Sequence, residues 1–515
     1  MRPPDARTWG GLVRELASRV PDAPAIAFEG RRISFRELDA EGDRYARALL
    51  AFGVGKDHTV SVLGGNRPEW LFAFIGTARI GAVLAPLNTW FRDEELEYGL
   101  RHSDVKALFT VERFLKHDYE AMLRRVRPGL PSLEVVMPLD GDFPLAAETE
   151  LAAAERAVGA GDMCLLLYTS GSTARPKGVR LHHGAMLENC FNIGERMRLT
   201  PSDRYWVGSP LFYGMATTNA LPACWTHGAC IVIQESFDAG VALELIEQER
   251  ATAFCGLGNM TRALLEHPDF GRRDLSSLDK GITGFSPEDK RLAVVELGVR
   301  RCCSVYGLTE TYGNCALTDA DDPIEIRLST QGLPLPGWEL KVVDAVTEEQ
   351  LPAGEVGHLL VRGYTTSGYF RDDDATAEAF DPDGFFRTGD LASVDVEGRM
   401  TWVARLKEVI KTGGINVSPR EVEDLIDRHP GVRQVHVVGV PDAVRGEVVV
   451  AFVEPGSDGL DEDTLRRFVA SQAAAFKVPT RVLFRRDDEL PRLASGKVPK
   501  YRLREEAIRE LGDGP

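Results

Sequence analysis

The sequence is poor in the features that several broad functions require. It has no surplus of positive charge: 61 Lys and Arg stand against 78 Asp and Glu, a formal net charge of −17. Broad binding to nucleic acid or an anionic membrane needs a basic face and is excluded, although a local pair of cations can still hold a phosphate ester. Long apolar runs are missing too. The longest, Trp70 to Leu87, is broken by Gly76, Arg79 and Gly81 and falls short of the ~20 apolar residues of a membrane span. No apolar stretch follows the charges of Met1–Gly11, so no secretory signal is read and a cytoplasmic location is expected. The eight cysteines (164, 190, 224, 230, 255, 302, 303 and 315) form no CxxC pair. They are expected to be reduced core thiols, not disulfides or zinc ligands. No short repeat or low-complexity tract is present.

What is present is an ordinary globular composition, 43% hydrophobic and 27% charged over 515 residues. Single cores stop growing at roughly 250–300 residues, so at least two domains are expected. Residues 1–160 alternate helical and strand patterns. Helical spacing over Thr8–Val20 is followed by a strand at Ala25–Phe28. The capping box Ser34-Phe-Arg-Glu37 then opens a helix running to Leu50. Buried strands at Val60–Leu63 and Ala82–Pro86 flank a helix over Trp70–Arg79. The alternation resumes over 161–330 and predicts mostly parallel sheets covered on both faces. Short strands with Gly, Pro and Asp turns fill 331–404 and predict a small β unit closing the large domain. The last hundred residues read as a separate α+β module. In it Ser418-Pro-Arg-Glu421 forms a second capping box and Asp461 caps a later helix.

The strongest local signal is Tyr168-Thr-Ser-Gly-Ser-Thr-Ala-Arg-Pro-Lys-Gly178. Glycine-freed amides and small hydroxyls can wrap phosphate oxygens, and Lys177 adds charge. It is not a Walker loop, because Pro176 precedes the lysine, and Val179–His182 after it predicts strand–loop–strand. Tyr306-Gly-Leu-Thr-Glu310 follows a short strand, Cys303–Val305. It sets a hydroxyl beside a carboxylate, suited to a phosphate contact and a magnesium ligand. Phe386-Arg-Thr-Gly-Asp390 is read as an acid at a tight turn, able to accept two ribose hydroxyls. Pro491-Arg-Leu-Ala-Ser-Gly-Lys497 offers one lysine after a flexible Ser-Gly.

In order and spacing these segments resemble the adenylate-forming superfamily of acyl-CoA synthetases, carrier-protein adenylation domains and beetle luciferases. The likeness covers nearly the whole chain. It includes Asn66-Arg-Pro-Glu-Trp70, Gly81-Ala-Val-Leu-Ala-Pro-Leu-Asn88 and Ala404-Arg-Leu-Lys-Glu-Val-Ile-Lys-Thr-Gly-Gly-Ile-Asn-Val-Ser-Pro419. The resemblance implies an α/β fold with a large N-terminal domain (1–404) of two α/β sheet subdomains (about 1–160 and 161–330) and a small β-barrel-like unit (331–404). A hinge (405–407) would join it to a small mobile α+β domain (408–515). It implies a two-step ligase using ATP, Mg2+ and CoA on a small-molecule acid, as a monomer or homodimer. Thr169, Ser170, Gly171, Ser172, Thr173 and Lys177 would hold the β- and γ-phosphates. Thr309 would touch the α-phosphate, and Glu310 would ligate magnesium. Asp390 and Arg405 would grip the ribose, while Tyr306, Gly307 and Gly284-Phe285-Ser286 would flank adenine. Lys497 would contact the substrate oxyanion and α-phosphate during adenylation. Lys407 would be the hinge, and Gly413-Gly414 would let pantetheine pass.

The pattern departs at the acyl pocket, where Tyr213, Gly258, Phe285 and Gly307 are expected. Tyr213 stands where many relatives carry histidine, Gly258 replaces a frequent proline, and Gly284-Phe285-Ser286-Pro287 replaces Gly-Gly-Ala-Pro. A phenylalanine ring adds on the order of 100 Å² of surface there, so a short or flat acid, such as an aryl acid, is expected. Alternatives are another acceptor (a carrier-protein thiol or an amine), an atypical oxyanion such as nitrite, or a noncatalytic relative. Retention of Lys497 and Glu310 argues against the last. The pair His182-His183 is read as structural. Gly256-Leu-Gly258 lacks the third glycine of a dinucleotide loop, and the glycosylation patterns at Asn259 and Asn416 carry no meaning without a secretory route.

Overall fold

Strands and helices alternate along the first 330 residues because each apolar strand must be covered on both faces. In the computed structural model they form two mostly parallel sheets. The structure describes residues 2–169, 176–284, 287–412, 415–442, 444–456, 459–492 and 498–512. The chain divides into two compact units, one comprising Met1–Leu340, Val361–Phe386 and Gly398–Met400, the other Lys341–Leu360, Arg387–Glu397 and Thr401–Pro515.

In the first unit a seven-stranded sheet runs in the order Arg301–Cys303, Lys280–Ile282, Ala253–Cys255, Arg204–Val207, Cys230–Ile233, Pro24–Phe28, Arg31–Ser34. Only the last pairing is antiparallel. Trp206, Val232, Phe254 and Ala293 are fully buried in its core. A six-stranded sheet runs Lys177–His182, Met163–Thr169, Val83–Leu84, Thr59–Leu63, Val105–Thr110, Val135–Pro138. Its strands are parallel except for the edge pair Lys177–His182 and Met163–Thr169. The capping box at Ser34 forms as predicted. Ser34 Oγ accepts from the Glu37 amide at 3.2 Å, and Glu37 Oε2 accepts from the Ser34 amide at 2.8 Å. The helix Phe35–Ala51 starts there.

Glu339–Val343, Gly357–Arg362, Phe386–Val394 and Met400–Arg405 hydrogen-bond in that order as a four-stranded sheet. The second unit contains a five-stranded sheet, in which Val432–Asp442 pairs with Gly446–Pro455. Alternate side chains of a strand face opposite sides. Val437 packs with Val422, Ile426 and Leu465, whereas the adjacent Val438 packs with Leu503 and Ala507. The sheet is thereby covered by helices Pro419–Asp427 and Glu462–Ala470 in one cluster and by Lys500–Leu511 in the other. The second capping box is only half formed. Ser418 accepts from the Glu421 amide, but the Glu421 carboxylate pairs with Lys477, a long-range ion pair that competes with the local bond.

All eight cysteines are free and buried. Burial pushes the thiols of Cys190, Cys255 and Cys302 up. Among the described residues no helix is long and apolar enough to cross a membrane.

Candidate active site

The segment read for phosphate is bounded by two antiparallel strands. Lys177 stands opposite Thr169 and Gly178 opposite Tyr168, so the strand–loop–strand reading holds and both ends of the Ser/Thr/Gly loop meet. Tyr98 Oη donates to the Pro176 carbonyl at 3.0 Å, and His102 Nδ1 lies 2.8 Å from Tyr168 Oη. Ser170, Gly171, Ser172 and Thr173 fall outside the described residues.

Lys177 Nζ sits 4.8 Å from the centroid of the Tyr369 ring. The Tyr369 hydroxyl donates to Glu310 Oε1 at 3.0 Å. Burial and the neighbouring Glu310 charge hold this phenol protonated far above its ordinary range. Backbone bonds lock the segment in place: the Thr366 amide donates to the Glu310 carbonyl at 2.7 Å and the Phe370 amide to the Gly178 carbonyl at 2.8 Å. Lys177 and Glu310, predicted 133 residues apart, are thus brought together by a tyrosine that no motif reading singled out.

Thr309 and Glu310 occupy a 3-10 turn, Thr309–Thr311, after the strand Val305–Tyr306. Thr311 Oγ1 accepts from the Leu308 amide at 2.8 Å. The buried Asn189 carboxamide donates to the carbonyls of Thr311, Tyr312 and Asn314 at 2.9–3.2 Å. Gly307 is packed so tightly that a Cβ there would lie 1.8 Å from the Gly313 carbonyl oxygen.

Thr309 Oγ1 lies 3.4 Å from where a Cβ on Gly214, the residue after Tyr213, would be. Tyr213 belongs to an aromatic cluster: its ring centroid is 4.6 Å from Phe212 and 6.0 Å from Trp90. Asn88 Nδ2 donates to Tyr213 Oη at 3.3 Å. Phe285 and Ser286 are outside the described residues, but the glycine at 258 has a physical reason. A Cβ on Gly258 would lie 1.7 Å from Asp289 Oδ1, and one on Gly284 2.7 Å from Asp289 Oδ2. The Asp289 carboxylate fills the space that a proline at 258 needs, so the glycine and the aspartate belong together.

In the second unit Asp390 is not at a tight turn, as expected above, but inside the strand Phe386–Val394 and 1% exposed. The misleading signal was Gly389, whose φ of +72° is accommodated within the strand, where its amide donates to His358 Nε2 at 3.2 Å. Thr388 Oγ1 accepts from the Asp390 amide at 3.1 Å and donates to the Leu359 carbonyl at 2.6 Å. Arg405 Nε lies 3.1 Å from Asp390 Oδ1, which unites the two residues read for the ribose. Lys407 lies in a 3-10 turn, Leu406–Glu408. Gly413, Gly414 and Lys497 lie outside the described residues.

Among the described residues no group of three or more His, Cys, Asp or Glu is arranged to hold a metal. His182 ends a strand and His183 begins the next helix. His183 is fully buried and accepts from the Trp9 amide at 3.2 Å, and burial lowers its pKa to about 4. It is structural.

Comparison with known proteins agrees with this geometry. Residues 13–370 match the family AMP-binding enzyme, and residues 421–497 match the AMP-binding enzyme C-terminal domain. The chain is 34% identical to the acyl-CoA ligase SID4 of Ajellomyces capsulatus over 542 residues, covering 98% of this chain and 92% of that one. It is also 34% identical to the feruloyl-CoA synthase of an Amycolatopsis species, over 94% of this chain and 96% of that one. The crystal structure of ATP-bound MatB from Rhodopseudomonas palustris superposes with a TM-score of 0.84 at 29% identity, covering 97% and 99% of the two chains. The chain belongs to the AMP-binding enzyme family, the adenylate-forming acyl-CoA synthetases.

Proposed function

We propose that this AMP-forming acid–thiol ligase activates a short, flat acid, with an aryl acid as the best fit, and passes it to CoA. The observation that carries the acid class is the cluster of rings Trp90, Phe212 and Tyr213, the last of which immediately precedes Gly214, where a Cβ would lie 3.4 Å from Thr309 Oγ1. Rigid rings favour a planar partner through offset or edge-on contacts worth about 0.5–1.5 kcal/mol beyond area burial. The feruloyl-CoA synthase relative is named for an aryl acid.

In the first step a carboxylate oxygen of the acid attacks the α-phosphorus of ATP and pyrophosphate leaves. The reaction brings anions together, so preorganised positive charge supplies most of the acceleration. Lys177 binds the outer phosphates, Thr309 orients the α-phosphate, Asp390 accepts from the ribose hydroxyls, and Lys497 stabilises the five-coordinate centre. Glu310 would hold a magnesium ion, which needs only one or two protein carboxylates. When bound, that ion supplies charge neutralisation across the phosphates. In the second step the CoA thiolate attacks the acyl carbonyl carbon and AMP departs. Lys407 serves as the hinge between the steps, and Gly413-Gly414 leaves room for the pantetheine arm.

Two experiments follow. Pyrophosphate release across acetate, palmitate, benzoates and cinnamates, with and without CoA, is expected to be fastest on an aryl acid and to yield thioester only with CoA. Best turnover on palmitate overturns the acid class, and adenylate that never becomes thioester points to a carrier protein or an amine. Separately, Asp390→Ala removes a charged acceptor of two ribose hydroxyls, and each hydrogen bond to a charged group is worth ~1.5–3 kcal/mol. KM for ATP is expected to rise at least ~10-fold with the acid KM unchanged. A rise in the acid KM alone contradicts the ribose role.

A further inference from the structure

Lys177 and Glu310 carry opposite charge and serve one nucleotide, yet Tyr369 stands between them. Its position is rigidly set. Val179 bridges to Tyr369 across the strand edge, the Arg180 amide donates to the Gly368 carbonyl at 3.2 Å, and the Tyr369 amide donates to Thr376 Oγ1 at 2.9 Å. Gly368 has a φ of +121°, and a Cβ there would lie 2.3 Å from Thr376 Cγ2, so only glycine lets the chain reach this register. The segment is thereby held by a single antiparallel bridge beside the strand Lys177–His182.

The two halves of the tyrosine do different work. Its hydroxyl, donating to Glu310 Oε1 at 3.0 Å, fixes the plane of the carboxylate. Its ring face, 4.8 Å from Lys177 Nζ, attracts the ammonium without a counter-charge that would cancel it. An acidic residue in the same place would hold the lysine but neutralise the charge intended for phosphate. We propose that Tyr369 is the positioning residue that presets the metal–nucleotide site, orienting Glu310 through its hydroxyl and Lys177 through its ring. This rests on the ATP reading above.

Tyr369→Phe keeps the ring and removes the hydroxyl, whereas Tyr369→Leu removes both. Binding of Mn2+·ATP is read by water-proton relaxation, and binding of metal-free ATP by equilibrium dialysis in EDTA. Loss of a hydrogen-bond partner to a metal ligand typically costs 10–100-fold in metal affinity. Tyr369→Phe is therefore expected to weaken Mn2+·ATP at least about tenfold while metal-free ATP changes less than about twofold. Tyr369→Leu is expected to weaken both. Unchanged Mn2+·ATP affinity in Tyr369→Phe, or a loss shared equally by metal-free ATP, overturns the proposal. Wild-type protein that binds no ATP sinks the adenylation reading and this one with it. Wild-type binding with an indifferent Tyr369→Phe sinks this one alone. Thermal melting of each variant reports folding, and the Phe variant decides the question even if the Leu variant does not fold.

Discussion

Lys497→Ala is expected to cut adenylate formation about 100- to 1000-fold, the usual cost of removing one preorganised group that stabilises transition-state charge. The thiol step, started from preformed acyl-adenylate, should stay within a few-fold of wild type, about threefold or less, because it develops no comparable charge at phosphorus. The two half-reactions are separable: pyrophosphate release reports the first, and thioester formation from synthetic adenylate reports the second. Equal loss in both would overturn the assignment of Lys497 to the first step alone. The whole scheme also requires cleavage between the α- and β-phosphates, so ADP and orthophosphate as products would exclude it.

Gly307→Ala is the second large effect, and it follows from packing. The added Cβ would meet the main-chain oxygen of Gly313 at 1.8 Å and the Asn314 Cα at 2.6 Å. Neither neighbour is the end of a flexible side chain. Asn189 ties this stretch down through three carbonyls, so the backbone has to move by more than an ångström in one place or another. Overpacking of this kind costs ~1–3 kcal/mol. The displaced residues would include Thr309 and Glu310, and a 1 Å misplacement costs about 100-fold in rate. Pyrophosphate release should fall by that order while the variant stays folded in a urea titration. Wild-type turnover would show that the turn relaxes without moving its two functional side chains.

Much of this was legible in the sequence because it is local. The Ser34 box, the strand–loop–strand around Lys177 and the alternation that gives parallel sheets each depend on residues within a few positions of one another. The errors arose where distant groups intervened. Glu421 left its own cap for Lys477, 56 residues away. Gly389 carries the composition of a turn, but pairing of the long strand Phe386–Val394 overrode that signal. Tyr369 left no trace beyond a Gly-Tyr pair, since its partners lie 59 and 192 residues away. Asp289 was equally silent, although the unexpected glycine at 258 is the mark it leaves on the sequence.

The fully enclosed thiols have a bearing on the chemistry of the intermediate. A mixed anhydride acylates whatever nucleophile it meets, and this enzyme makes one while waiting for an incoming sulfhydryl. All eight of its own cysteines are buried, and for Cys164, Cys190, Cys224, Cys230, Cys255, Cys302 and Cys303 burial disfavours the ionised, attacking form. The scaffold therefore offers no exposed thiol of its own to intercept the activated acid before the acceptor arrives.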